Sequence, residues 1–182
     1  MKTKNIIWAF GSIGIIALCM TLLFNDCKKD STSPGPSTSY GSMAVRLKDV
    51  AGNYQQVNVE IQQVSVHMAG GDWINLPTRA GIYNLLVLQN GIDTPLVNTT
   101  QLPTGKITQM RLILGTHNTV MVNNSMYPLT VPSGSETGIK LIGNEAITVN
   151  QLLVVKLDFN ADASVVDSGS TYLLKPTIQV VP

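Results

Sequence analysis

Cys27 is the residue whose surroundings most clearly fix a chemistry in this 182-residue chain. It follows an apolar stretch without charge, residues 6–24, which is itself preceded by Lys2 and Lys4. A basic start, an apolar middle and then a cysteine form the layout of a bacterial export signal whose thiol is acylated, with cleavage just before it. Residues 1–26 are therefore expected to be a lipoprotein signal peptide, with Cys27 carrying the lipid. The competing layout is an uncleaved N-terminal transmembrane helix. Nineteen uncharged residues approach the ~20 that cross a bilayer, and Phe24, Asn25 and Asp26 are not the small residues such a cleavage site favours. Lys28-Lys29-Asp30 leads straight into a tether-like tail, which favours the lipid anchor. Cys19 is the poorer acceptor, because residues 21–24 after it are still apolar. Both layouts put the following domain outside the cytoplasm.

Other chemistry-bearing residues form weaker patterns. Asp158-x-Asn160-x-Asp162, with Asp167 beyond, offers oxygen ligands at alternate positions, as a Ca²⁺ loop does. Glycine at the sixth place and glutamate at the twelfth are both missing, so the segment reads as a strand end with a capping side chain. No metal site or cofactor is expected. His67 and His117 are the only histidines and share no local pattern. No serine sits in Gly-x-Ser-x-Gly, and there is neither a phosphate-binding glycine loop nor His-Glu-x-x-His. Trp73 follows Gly70-Gly71-Asp72 in a chain with few aromatic residues. It is the candidate ligand-binding residue, a flat platform at a sheet edge, unless the ring packs into the core.

Composition narrows the function classes. Without Lys2, Lys4 and Asp26, the twelve basic and eleven acidic residues balance at ten each. Nucleic-acid binding then lacks its electrostatic footprint. Lipidation would occupy the one cysteine left in the mature chain, so the domain has no disulfide, no thiolate metal site and no thiol nucleophile. Packing must stabilise it.

The elements that position these residues follow from periodicity. Residues 27–39 contain Ser31-Thr32-Ser33-Pro34-Gly35-Pro36-Ser37-Thr38-Ser39, a flexible linker. From Tyr40 the period becomes two: Met43, Val45 and Leu47 alternate with polar neighbours. Val57, Val59 and Ile61 share one parity and Val64, Val66 and Met68 the other, which predicts a β-bulge at Gln62-Gln63. Gly70-Gly71-Asp72 closes a hairpin into residues 73–76. Residues 106–114 and 153–159 alternate, and the latter lead into a helical turn capped by Asn160 or Asp162. Hairpins are expected at Asn123-Asn124-Ser125 and at Gly143-Asn144-Glu145. Residues 172–181 form a last strand, with Pro176 at an edge or bulge. Many short strands and frequent turn residues predict one all-β sandwich over residues 40–182.

Several motifs together resemble a known family. They include Trp73-x-x-Leu76, Asn84-Leu85-Leu86-x-Leu88-x-Asn90-Gly91, Leu102-Pro103-x-Gly105 and Gln109-x-Arg111-Leu112. Pro132-Ser133-Gly134 with Gly138 and Lys140, Asp158-Phe159-x-Ala161-x-x-Ser164-Val165, and Leu174-Lys175-Pro176 continue the set in order. The chain resembles the bacterial family catalogued as domain of unknown function 4382. The resemblance implies a transthyretin-like or carbohydrate-binding-like sandwich on secreted or lipid-anchored proteins. It supplies no activity and no catalytic residues.

The expected function is a non-enzymatic binding or structural module of the cell envelope. It is anchored to the outer membrane through Cys27, on its periplasmic or surface face, with a glycan or an envelope protein as partner. The alternative is a glycan-directed hydrolase using two carboxylates brought together in space.

Overall fold

The computed structural model describes residues 38–50, 52–132 and 138–181. The signal segment, Cys27, the linker up to residue 37 and most of Pro132-Ser133-Gly134-Ser135 lie outside the described residues. The strands are β1 (Tyr40–Asp49), β2 (Gln56–Met68), β3 (Trp73–Asn75), β4 (Gly81–Asn84), β5 (Thr94–Pro103), β6 (Gly105–Leu114) and β7 (Thr119–Val122). They continue with β8 (Ser125–Thr130), β9 (Ile139–Ile142), β10 (Ala146–Ile147), β11 (Leu152–Phe159), β12 (Val165–Asp167), β13 (Tyr172–Leu174) and β14 (Ile178–Val181). A 3-10 turn, Leu85–Leu88, and one short helix, α1 (Ala161–Ser164), complete the described elements.

Two sheets pack as a sandwich. The smaller has the order β14-β11-β1-β5, with β1 and β11 parallel over eight residue pairs. The larger runs β10-β6-β2-β7-β8-β13-β12, with β3 and β4 also on β2 and β9 on β6. Alternation turns one face of each long strand inward. Met43, Val45 and Leu47 of β1 and Val155, Leu157 and Phe159 of β11 are fully buried. From β2, Val57, Val59, Ile61, Val64 and Val66 are fully buried as well.

The parity switch in β2 is the predicted bulge: its register against β6 shifts between Ile61 and Gln63. Side chains satisfy the backbone groups this frees. Thr78 Oγ1 accepts from the Val64 amide at 2.8 Å, and the Gln63 amide group donates to the Leu76 carbonyl at 2.7 Å. The hairpin through Gly70 and Gly71 pairs His67 with Trp73. The β7–β8 hairpin turns at Asn123 and Asn124, both with positive φ. Asn160 caps α1, its side chain accepting from the Ala163 amide at 2.9 Å.

Three segments depart from expectation. Gly143-Asn144-Glu145 does not close a hairpin: β9 and β10 both run antiparallel to β6 and follow one another along the same edge. The register advances by one residue between them, so these turn-type residues form a bulge, which glycine and asparagine serve equally well. Residues 172–181 form two strands, not one. β13 lies in the larger sheet and β14 in the smaller, and Pro176, which lacks an amide donor, sits where the chain crosses over. Ser164 anchors that crossing, its carbonyl accepting from the Lys175 amide at 2.7 Å and its hydroxyl from the Thr177 amide at 2.8 Å. Finally, β5 is a ten-residue strand the pattern does not announce. With Pro95 near its start and Pro103 at its end, it occupies the sheet edge, where missing donors are tolerated.

Candidate functional site: the outer face around Trp73

Trp73 is neither in the core nor free in solvent. In an antiparallel ladder, directly opposed residues share a face. Two rows of opposed residues therefore cross the outer surface of β3, β2, β6 and β9. One row is Trp73, His67, Gln109 and Ile142; the other is Asn75, Ser65, Arg111 and Lys140. At about 4.8 Å per strand, each row spans roughly 14 Å. The intervening residues Val66, Met110 and Leu141 face the core, which fixes these rows outward.

Contacts within the rows are specific. The Arg111 guanidinium carbon lies 4.1 Å from the centroid of the Trp73 ring, a cation–π stack. The His67 ring is tilted by 59° against the indole, with centroids 5.3 Å apart. Ser65 donates its hydroxyl proton to Asn75 Oδ1 at 2.7 Å. Thr108 Oγ1 lies 2.8 Å from His67 Nδ1, in a hydrogen bond whose direction follows the histidine tautomer, and 3.2 Å from the His67 carbonyl oxygen. Half-buried Trp73 is thus held by its neighbours with part of the indole at the surface. Next to Lys140 and Ile142, a cleft of about 420 Å³ opens between β9 and β14.

The remaining candidates are dispersed. His117 lies beside Glu60, Nδ1 to Oε2 at 2.8 Å, and the His117 amide and ring hold that carboxyl below its usual range. Asp158 pairs with Lys48, Asn160 caps α1, Asp162 accepts from the Asn53 amide and Asp167 from the Gly169 amide. The Asp158-x-Asn160-x-Asp162 set and Asp167 therefore serve four separate structural contacts. Asp93 pairs with Arg46, which holds its carboxyl below the usual range. Buried Asp49 accepts from the Ala161 amide and from Gln89, and burial pushes its carboxyl up. A cavity of about 300 Å³ beside the Gly70-Gly71 turn is lined by one carboxylate, Asp72. A second aromatic pair, Tyr127 and Tyr172, has centroids 5.2 Å apart at a small depression of about 70 Å³.

Sequence reasoning singled out Trp73 and missed Arg111 and Lys140 as its companions. Only strand register brings the three together; the available signal was that each sits at an outward parity.

These features define an all-β sandwich domain with one outer face carrying a stacked aromatic–cationic cluster. A family model described as domain of unknown function DUF4382 matches residues 40–176, and the chain belongs to that family. No curated protein and no solved structure matches it.

Proposed function

We propose that this protein is a non-enzymatic binding module of the bacterial cell envelope. It is held at the outer membrane by lipid on Cys27 and presents the Trp73 face to an extended glycan or an envelope protein. The observation that carries the reading is the position of Trp73: an indole outside the core, fixed by Arg111 and His67 on an open sheet face. Preorganised aromatic side chains lose little freedom on binding and dominate contact energies once desolvated. A non-enzymatic role is supported by the carboxylates, since Asp49, Glu60, Asp93, Asp158 and Asp162 are each engaged by a structural partner.

The test uses the full-length protein in a polyoxyethylene detergent, which carries no sugar headgroup to compete. Its binding to a glycan array and to purified envelope proteins is compared with that of Trp73→Ala. Binding lost in the variant with the fold intact is the expected result; equal binding by both proteins refutes the assignment of the face. The anchor is tested separately. Cys27→Ser should abolish palmitate labelling and leave the precursor uncleaved; labelling and processing unchanged by the substitution would refute Cys27 as the acceptor, and a wild-type chain that is neither labelled nor cleaved would restore the transmembrane-helix layout.

A further inference from the structure

We infer that the Trp73 face recognises an acidic oligosaccharide, whose carboxylates are taken by Arg111 and Lys140. The inference rests on the binding-face reading above and adds the charge of the ligand. Arg111 and Lys140 are directly opposed across β6 and β9 on the same outward face. Like charges placed so destabilise a sheet unless an anion lies between them. Among the described residues no carboxylate forms an ion pair with either cation. Their row neighbours Asn75 and Ser65 are neutral, as are Gln109 and Ile142 beside them. By contrast Arg46 and Lys156, also cations opposed across β1 and β11, share the carboxylate of Asp93, and Lys48 pairs with Asp158.

The geometry of Arg111 sharpens the case. Its guanidinium carbon lies over the indole, 4.1 Å from the ring centroid. Its Nε is buried without a hydrogen-bond partner, which is costly unless a bound group supplies an acceptor. A carboxylate matches a guanidinium bidentately, and Lys140, exposed on the neighbouring strand, adds a second positive charge. Neutral hydroxyls of a sugar find donors and acceptors in Asn75, Gln109 and His67. The flat, roughly 14 Å rows suit a short extended oligosaccharide better than a compact ion. Asp72, next to Trp73 in the turn, disfavours negative charge at that end, so the acidic units lie toward β6 and β9.

The experiment is calorimetric titration of the full-length protein in polyoxyethylene detergent with three probes: tetragalacturonate, its fully methyl-esterified form, and an oligoglutamate peptide. Tetragalacturonate should bind with an affinity that falls as salt rises, and the neutral ester should bind at least about tenfold more weakly. Arg111→Gln should lose at least about tenfold in affinity. Lys140→Gln, an exposed change that spares folding, should lose several-fold and flatten the salt dependence. Equal binding of acid and ester, both lost in Trp73→Ala, overturns the anionic assignment and leaves the binding face standing. Equal or tighter binding of oligoglutamate overturns the saccharide assignment. No binding by any of the three overturns this proposal, and an array binding unaffected by Trp73→Ala overturns the face itself.

Discussion

Replacing Leu157 with alanine should cost about 3–4 kcal/mol, in the middle to upper part of the ~2–5 kcal/mol range for buried leucines. Leu157 is fully buried on β11, in register with Leu47 of β1 on one side and Val180 of β14 on the other. Val155 and Phe159, the next inward residues of the same strand, are fully buried too, as is Leu47. Strands on both sides hold the backbone, so the site cannot collapse to fill the cavity. For a domain of this size the loss corresponds to a melting temperature lower by roughly 6–16 °C. Leu152 is the internal control: it lies on the same strand but is 53% exposed, and its alanine variant should stay within about 1 kcal/mol of wild type. Urea unfolding followed by circular dichroism measures both, with an unchanged slope licensing the comparison. A Leu157→Ala midpoint equal to wild type, or a Leu152→Ala loss as large, would refute the assignment of the inner face.

Trp73→Ala should destabilise the fold by only about 1–2.5 kcal/mol, the sum of one cation–π contact and one tilted aromatic contact; a loss of ~3–5 kcal/mol in urea unfolding would mark the ring as core. Gly41→Ala should cost about 2 kcal/mol or more, since a Cβ there would meet the Thr148 backbone carbonyl oxygen at 2.2 Å; a neutral thermal melt contradicts that packing. The acid limb of stability should respond in opposite senses to two carboxyls. Asp93, held low by Arg46, contributes stability present above the ordinary carboxylate pKa of ~4 and lost as pH falls through its lower folded value, so Asp93→Asn should flatten the acid limb. Asp49, raised by burial, favours its protonated form in the fold and makes stability decline as pH rises past ~4. Asp49→Asn should remove that decline, and unfolding curves between pH 2 and 7 showing the same slope for wild type and both variants would refute the two assignments.

Much of the sandwich was legible because a half-buried strand writes its inner face at every second residue. β1, β6 and β11 carry that period directly. β2 carries it with a parity switch that can only mean an extra residue, and the register shift after Ile61 is that residue. Asn160 was readable as a cap for the same kind of reason: a short acceptor side chain just ahead of a helical turn. Legibility failed where one residue type serves two geometries. Gly143-Asn144-Glu145 fits a hairpin turn and an edge bulge equally, and only pairing of both flanking strands with β6 separates them. Pro176 announced a break but not that the chain would change sheets. β5 was hidden by Pro95, Pro103 and a polar middle.

The candidate site was half legible. Trp73 stood out because the chain has few aromatic residues, but its companions are far from it in sequence. Arg111 and Lys140 look like ordinary outward residues of their own strands. Their meaning comes from register, which places them opposite one another with the indole beneath the guanidinium. Register of distant strands is decided by the whole core, and no local pattern encodes it.

The central claim, that a ligand lands on the Trp73 face, is tested most directly by the accessibility of that one indole. The chain has two tryptophans; cleavage before Cys27, as proposed, removes Trp8, and Trp8→Phe excludes it from any uncleaved chain, so Trp73 is the sole emitter. Iodide quenching is then measured without ligand and at saturation with the best-binding oligosaccharide. The account predicts emission that iodide quenches in the free protein and that becomes shielded when ligand is bound. Emission quenched equally in both states, in a protein shown by calorimetry to be saturated, would contradict it.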